Sequence, residues 1–342
     1  MAEERVVRLQ DVAALAGVSA ATASRVLNNE SGRRVRDELR LRVEAAAREL
    51  GYAPNPHARA LSRSESDLVG LIVHDVADPY FAAIASGVMR LAGERGLLVF
   101  LGSTFRDPER EIEFVAALRG QRVRAIVLAG SRVASRKLNE RLAAEVGQVQ
   151  AAGGRIAIIG QDRLNADAVL PDNRGGARLL AEEMLRLGHR SFAVLAGQRT
   201  LVTANERMAG FLAPLKEAGL TADVLYSDFT RDGGHAAAAR LVAEDRLPTC
   251  VFAVNDVMAI GALTALRERG VPVPDRVSVA GFDDIPAVRD QVPSLTTVRL
   301  PLEYMGERVL ELALAGRSGR GPTLLTVPGE VVLRDSTAPP AS

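Results

Sequence analysis

Few side chains in this 342-residue chain are spaced for covalent or metal chemistry. The single cysteine, Cys250, stands in the apolar run TCVFAV, where a buried thiol packs as a small hydrophobe, and one cysteine cannot form an internal disulfide. The four histidines, His57, His74, His189 and His235, lie far apart, and no P-loop, HExxH, GxSxG or clustered metal-ligand spacing occurs. The sequence thus argues against an enzyme and calls for no cofactor and no metal. What remains is recognition chemistry. Small hydroxyl-bearing, amide and arginine side chains crowd positions 19–28 of RLQDVAALAGVSAATASRVLNNE, the stretch at 8–30.

Two short helices must position those groups. In LQDVAALAG, Val12, Leu15 and Ala16 recur at helical spacing on one face, and Asp11 suits the positive end of a first turn. Gly17 is a natural stop, because it takes a left-handed conformation without steric cost. Ser19 then caps the next helix, whose Ala23, Val26 and Leu27 face inward. That leaves Ala20, Ala21, Thr22, Ser24 and Arg25 outside. A third helix, predicted over residues 37–50, closes a small core with Val43, Ala46, Ala47 and Leu50. The pattern is a helix-turn-helix, in which only the N-terminal turns of the second helix need enter a DNA major groove. An ordinary three-helix bundle fits the bare pattern too.

Charge is unevenly placed along the chain. The whole chain is nearly balanced, with 43 basic against 42 acidic side chains, yet residues 5–63 hold eleven arginines against six acids. The basic excess therefore sits at the head, where a polyanion would be met.

From residue 68 the pattern changes. Short apolar runs (LVGLIV, GLLVFLGS, VRAIVLAGS, GRIAIIG, RSFAVLAG, DVLYSDF, CVFAVND and VSVAGFDD) alternate with segments of helical spacing such as 79–95, 175–187 and 257–269. Alternation of this kind means βαβ units, and near-continuous apolar strands mean parallel sheets buried on both faces. Eight such units exceed one comfortable open sheet, so two doubly wound lobes are predicted, with a ligand crevice at the carboxyl ends of their strands. Pro54 and Pro56 break the chain between head and core, and the closing STAPPAS reads as disordered. The opening residues carry no apolar leader, and no window approaches the ~18 uninterrupted apolar residues of a membrane span. A soluble, cytoplasmic protein without membrane contact is expected.

The headpiece stretch DVAALAGVSAATASRVLNN, resumed at RVEAAARELGYAPNPHARAL, resembles the lactose/galactose repressor family of bacterial transcriptional regulators. The resemblance extends over essentially the whole chain. It implies an all-α helix-turn-helix headpiece at 8–52, a hinge at 53–66 and an α/β core like that of periplasmic binding proteins. The core divides into a first lobe, 67–187 with 299–326, and a second, 188–298 with 327–342. It further implies a homodimer on a double-stranded, pseudo-palindromic DNA operator, most simply as a repressor, with affinity controlled by a small polar effector of the sugar type.

By the same resemblance, Ala20 and Ala21 occupy base-reading positions, where alanine offers apolar contact to a thymine methyl. Arg25 is placed for a bidentate guanine contact, and Ser19, Thr22, Ser24 and Asn28 for phosphate anchoring. Leu61, in a brief helical stretch at 57–61, matches a leucine that wedges into the minor groove; read alone, it is a lone linker apolar. In the crevice the resemblance assigns Tyr80 and Phe81 to flank a ligand ring. It assigns Asp162, Arg163, Arg207, Asn255 and Asp283 to grip polar groups, with Asp172 and Thr203 as secondary candidates. Asn255–Asp256 and Asp283–Asp284 also fit plain helix caps, and Phe81 plain core.

Three departures stand out. Arg8 replaces a usual Thr or Ser cap, leaving Asp37 as a candidate cap for the third helix. VRDEL at 35–39 replaces the usual VSxxT. Leu300 replaces a glutamine that reaches the ligand in many relatives. The rival reading is a sugar-binding carrier with no DNA role, which would need a leader and no headpiece.

Overall fold

A computed structural model describes residues 7–27, 35–52, 66–316 and 321–341, in two compact units, Met1–Asp67 and Leu68–Ser342. In the first unit, α1 (Leu9–Ala16), α2 (Ala20–Leu27) and α3 (Asp37–Glu49) enclose a core of Val12, Ala13, Ala16, Ala23, Val43, Ala46 and Ala47. Val18, Val26, Leu27 and Leu50 pack against it.

Here α1 departs from the expected face. Ala13 is buried and Leu15 is 49% exposed, because an eight-residue helix admits more than one apolar stripe. Its start is held by Asp11, whose Oδ2 accepts the backbone N–H of Arg8 at 2.8 Å. An arginine side chain accepts nothing, so this is the reciprocal half of a capping box. Asp37 is the first residue of α3 and its cap is Arg36, so Asp37 does not cap as expected.

The core unit holds two parallel sheets. The first runs in the order β11 (Leu324–Val327), β5 (Asp167–Pro171), β4 (Ile156–Ile159), β3 (Ala125–Ala129), β1 (Leu68–Val73), β2 (Leu98–Ser103). The second runs β7 (Ala222–Tyr226), β6 (Phe192–Gly197), β8 (Cys250–Ala253), β9 (Ser278–Ala280). Each is covered by helices: α4 (Pro79–Glu94), α5 (Pro108–Gly120), α6 (Arg136–Ala151) and α11 (Leu302–Ala315) around the first, and α7 (Asn173–Arg186), α8 (Val202–Glu217), α9 (Arg231–Ala243) and α10 (Asp256–Glu268) around the second. A short antiparallel pair, β10 (Thr297–Arg299) with β12 (Glu330–Val332), lies where the chain recrosses. All eight sequence-predicted runs are strands. The four others are three to five residues long, and β5 carries Asp167 and ends in Pro171.

Two further departures concern the core. The sequence reading ends the first lobe at residue 187, but α7 packs on α8, a helix of the second sheet. The segment from Asn173 therefore sides with the second sheet. Moreover, the described part of the tail is ordered. Ser336 is fully buried; its hydroxyl donates to the Val279 carbonyl at 2.6 Å and accepts from the Thr296 N–H at 2.8 Å. The tail thus packs beside β9.

Candidate functional site

Two sites emerge, one in each unit. In the headpiece, Gly17 ends α1 at φ 62° and ψ 40°. A Cβ there would lie 2.7 Å from the Arg42 guanidinium, which donates to the Ala16 carbonyl at 2.6 Å. Glycine and Arg42 together set the sharp turn. Ser19 Oγ then accepts the Thr22 N–H at 3.1 Å and caps α2. Ser19, Ala20 and Ala21 are exposed, and Thr22, Ser24 and Arg25 are half-buried. Arg25 makes no ion pair with any described residue. The outer face of α2 is therefore small, polar and singly basic, a shape that enters a groove without steric conflict. Asn28 and Leu61 lie outside the described residues.

The second site follows from topology. In both sheets the strand order reverses beside the first strand, between β1 and β3 and between β6 and β8, and ligands bind outside the carboxyl ends of strands at such switch points. A cavity of about 580 Å³, counted out to its mouth, lies there. Tyr80, Phe81, Thr203, Arg207, Asn255 and Asp283 line it together.

Arg207 is the floor. Only 2% exposed, it donates Nη2 to Asp283 Oδ1 at 2.7 Å, Nη1 to Oδ2 at 3.2 Å and to the Val254 carbonyl at 2.9 Å, and Nε to Asn173 Oδ1 at 2.9 Å. Its guanidinium lies 4.0 Å from the Phe282 ring centroid. Burial pushes the Asp283 carboxyl up to about 7, against the pull of Arg207. Asp283 sits at φ 123°, a conformation that favours glycine and is held by its surroundings.

Asn255 does two jobs. Its Oδ1 accepts the Met258 N–H at 2.9 Å and caps α10, so its amide nitrogen is left for the cavity. Phe81, 6% exposed, is both core and lining.

The structure does not bring Asp162 and Arg163 to this cavity. Both are exposed in the turn after β4, while the preceding Gln161 turns inward and donates to Thr203 Oγ1 at 2.9 Å. Asp172 caps α7 through the Gly175 N–H at 2.8 Å, and Leu300 is buried away from the lining.

Sequence reasoning passed over His74, Asp78, Arg106, Ser131, Asn173 and Phe229, all of which line the cavity. All lie in the segments that follow the carboxyl ends of strands, His74 immediately after β1, which is the one signal that would have found them. Arg106 pairs with Asp78 at 3.1 Å and reaches over the Phe229 ring at 5.8 Å, from the first lobe to the second. The lobes also meet where Val133 bridges Leu201 and the Thr203 N–H donates to Ser131 Oγ at 3.1 Å. Buried Arg132, forked onto Glu111 at 2.6 and 2.7 Å, fixes that loop.

A helix-turn-helix and a two-lobed, cleft-bearing core in one chain define a DNA-binding transcriptional regulator. Comparison with known proteins agrees. Residues 8–55 match bacterial regulatory proteins of the lacI family, and residues 181–337 a periplasmic binding protein-like domain. The chain is 33% identical to the HTH-type transcriptional regulator DegA of Bacillus subtilis (strain 168), over 97% of this chain and 98% of that protein. It is 37% identical to the regulator GalS of Salmonella typhimurium, over 92% and 91%. A lac repressor dimer structure, bound to operator and the anti-inducer ONPF, superposes with a TM-score of 0.83 at 29% identity, covering 97% of this chain and 99% of that one. The chain belongs to the LacI family of bacterial regulatory proteins, which are transcriptional regulators and not enzymes.

Proposed function

We propose that the protein is a repressor that binds a pseudo-palindromic operator as a homodimer and is controlled by a small, uncharged, polyhydroxylated molecule held between the core lobes. The observation that carries this reading is the pairing, in one chain, of an open α2 face with a cavity whose hydrogen-bonding groups come from both lobes. The operator-bound dimer of the related lac repressor supports the symmetric arrangement. Ser19, Ala20, Ala21, Thr22, Ser24, Arg25 and Asn28 meet the major groove, and Leu61 of the hinge at 53–66 meets the minor groove.

Charge pairing supports a neutral effector. Arg106 is matched by Asp78 and Arg207 by Asp283, so a phosphate or carboxylate would find no unpaired cation among the described lining residues. Tyr80, Phe81 and Phe229 supply ring faces, while Asn255, Thr203 and the Arg207–Asp283 pair supply polar contacts.

The test is selection of duplexes from a randomised library by the full-length chain, with and without a panel of sugars and nucleosides. Enrichment of one two-fold-symmetric site, altered by a panel member that also raises the thermal midpoint, is the expected result. Indifference to sequence under every condition overturns the proposal.

A further inference from the structure

We infer that His74 is a recognition residue of the cavity, presenting an imidazole that reads one hydroxyl or amide of the bound molecule. The inference rests on the effector reading above and adds to it a group that the family resemblance did not assign. His74 follows β1 directly, at the switch point of the first sheet. It is 8% exposed and lines both the main cavity and a smaller one beside it, shared with Glu111, Arg132 and Asn139.

Neither ring nitrogen is hydrogen-bonded to a described residue, and the ring borders both cavities. An imidazole at a cavity wall is free to exchange hydrogen bonds with whatever polar group enters.

The surroundings are shaped to this ring. A Cβ at Gly130, just beyond β3, would lie 2.3 Å from Nε2, so only glycine leaves room for the imidazole. The Phe81 ring supports it at 5.7 Å between centroids. Burial holds His74 well below the usual histidine range, to about 4, with Glu111 pulling up and Arg132 and Arg106 pushing down. A neutral ring carries one donor and one acceptor, suited to a hydroxyl and indifferent to net charge.

Calorimetric titration of the full-length chain with D-ribose, D-galactose, cellobiose and cytidine identifies a binding probe, which is then used with its deoxy analogues. His74→Leu is expected to weaken that probe by about tenfold, and His74→Gln, which keeps a donor and an acceptor, by less than about threefold. One deoxy analogue should lose about tenfold on the wild type and nothing further on His74→Leu, as coupled partners do. His74→Phe serves the same comparison if His74→Leu does not fold. Unchanged affinity in a folded apolar variant, or equal deoxy losses on both proteins, overturns the assignment of His74 and leaves the effector reading intact. Failure of all four probes on the wild type overturns the effector reading, and this inference with it.

Discussion

Arg207→Met is the most searching single change in the core. It removes a guanidinium that is 2% exposed and leaves Asp283, the Val254 carbonyl and Asn173 Oδ1 without their donor. Breaking a buried pair by removing one partner costs about 3–5 kcal/mol. At roughly 2 °C per kcal/mol for a unit of this size, the midpoint of thermal unfolding should fall by ~6–10 °C.

Asp283→Asn keeps the side-chain shape and suits the positive φ, yet strands the arginine charge. The double variant Arg207→Met/Asp283→Asn should recover a large part of the combined loss, because it buries no unpaired charge.

pH gives a second handle. The Asp283 carboxyl lies at about 7 with Arg207 present, and without it must lie higher, while the unfolded value stays near ~3.9. A raised folded value stabilises at low pH and is lost as pH rises. The penalty of Arg207→Met should thus grow by up to ~1.4 kcal/mol per pH unit above pH 7. Urea unfolding at pH 6, 7 and 8 reads all of this. Additive single effects, or a penalty that does not grow with pH, would refute the reasoning.

Arg25→Ala should cost about 1–3 kcal/mol on the selected duplex and relax sequence preference in a competition binding assay; an equal loss on random DNA removes the base-reading role. Ser336→Ala leaves the Val279 carbonyl and the Thr296 N–H unpaired, at about 1–3 kcal/mol each, and an unmoved thermal midpoint would contradict the packed tail. His74 is lowered to about 4 in the folded chain against 6.5 outside it. Its share of stability is complete above pH 6.5 and is lost as pH falls towards 4, by up to ~3 kcal/mol. His74→Gln should flatten that part of the urea-unfolding profile, and an identical acid slope in the variant would count against it.

What could be read in the chain depended on how strongly burial writes itself into residue type. The first-sheet strands β1 and β3 and the second-sheet strands β6 and β8 are sealed on both faces, so LVGLIV, AIVLA, FAVLAG and CVFA are unbroken apolar runs. By contrast β5 opens on Asp167 and ends in Pro171, and β10 is only three residues long and pairs with the distant β12. The α2 start was legible because Gly17 and Ser19 are chemically required there, whereas α1, at two turns, could not declare Leu15 or Ala13 as its inner residue. STAPPAS has the composition of a loose tail, and only the packed Ser336 shows otherwise.

In the cavity, the groups found from sequence were those at recognised positions. Asp162 and Arg163 failed to converge because the chain turns at Gly160 and sends Gln161, not its neighbours, inward. His74 went unremarked because a lone histidine after a strand has many ordinary uses.

The central claim is that the headpiece and the cavity act on one equilibrium. Fluorescence anisotropy should give the duplex affinity of the full-length chain without effector and at saturating effector, and calorimetry the effector affinity with and without duplex. Coupling predicts the same factor in both directions, about 5- to 150-fold, since linkage is reciprocal. A factor of one in both measurements, with each ligand bound tightly, would contradict it.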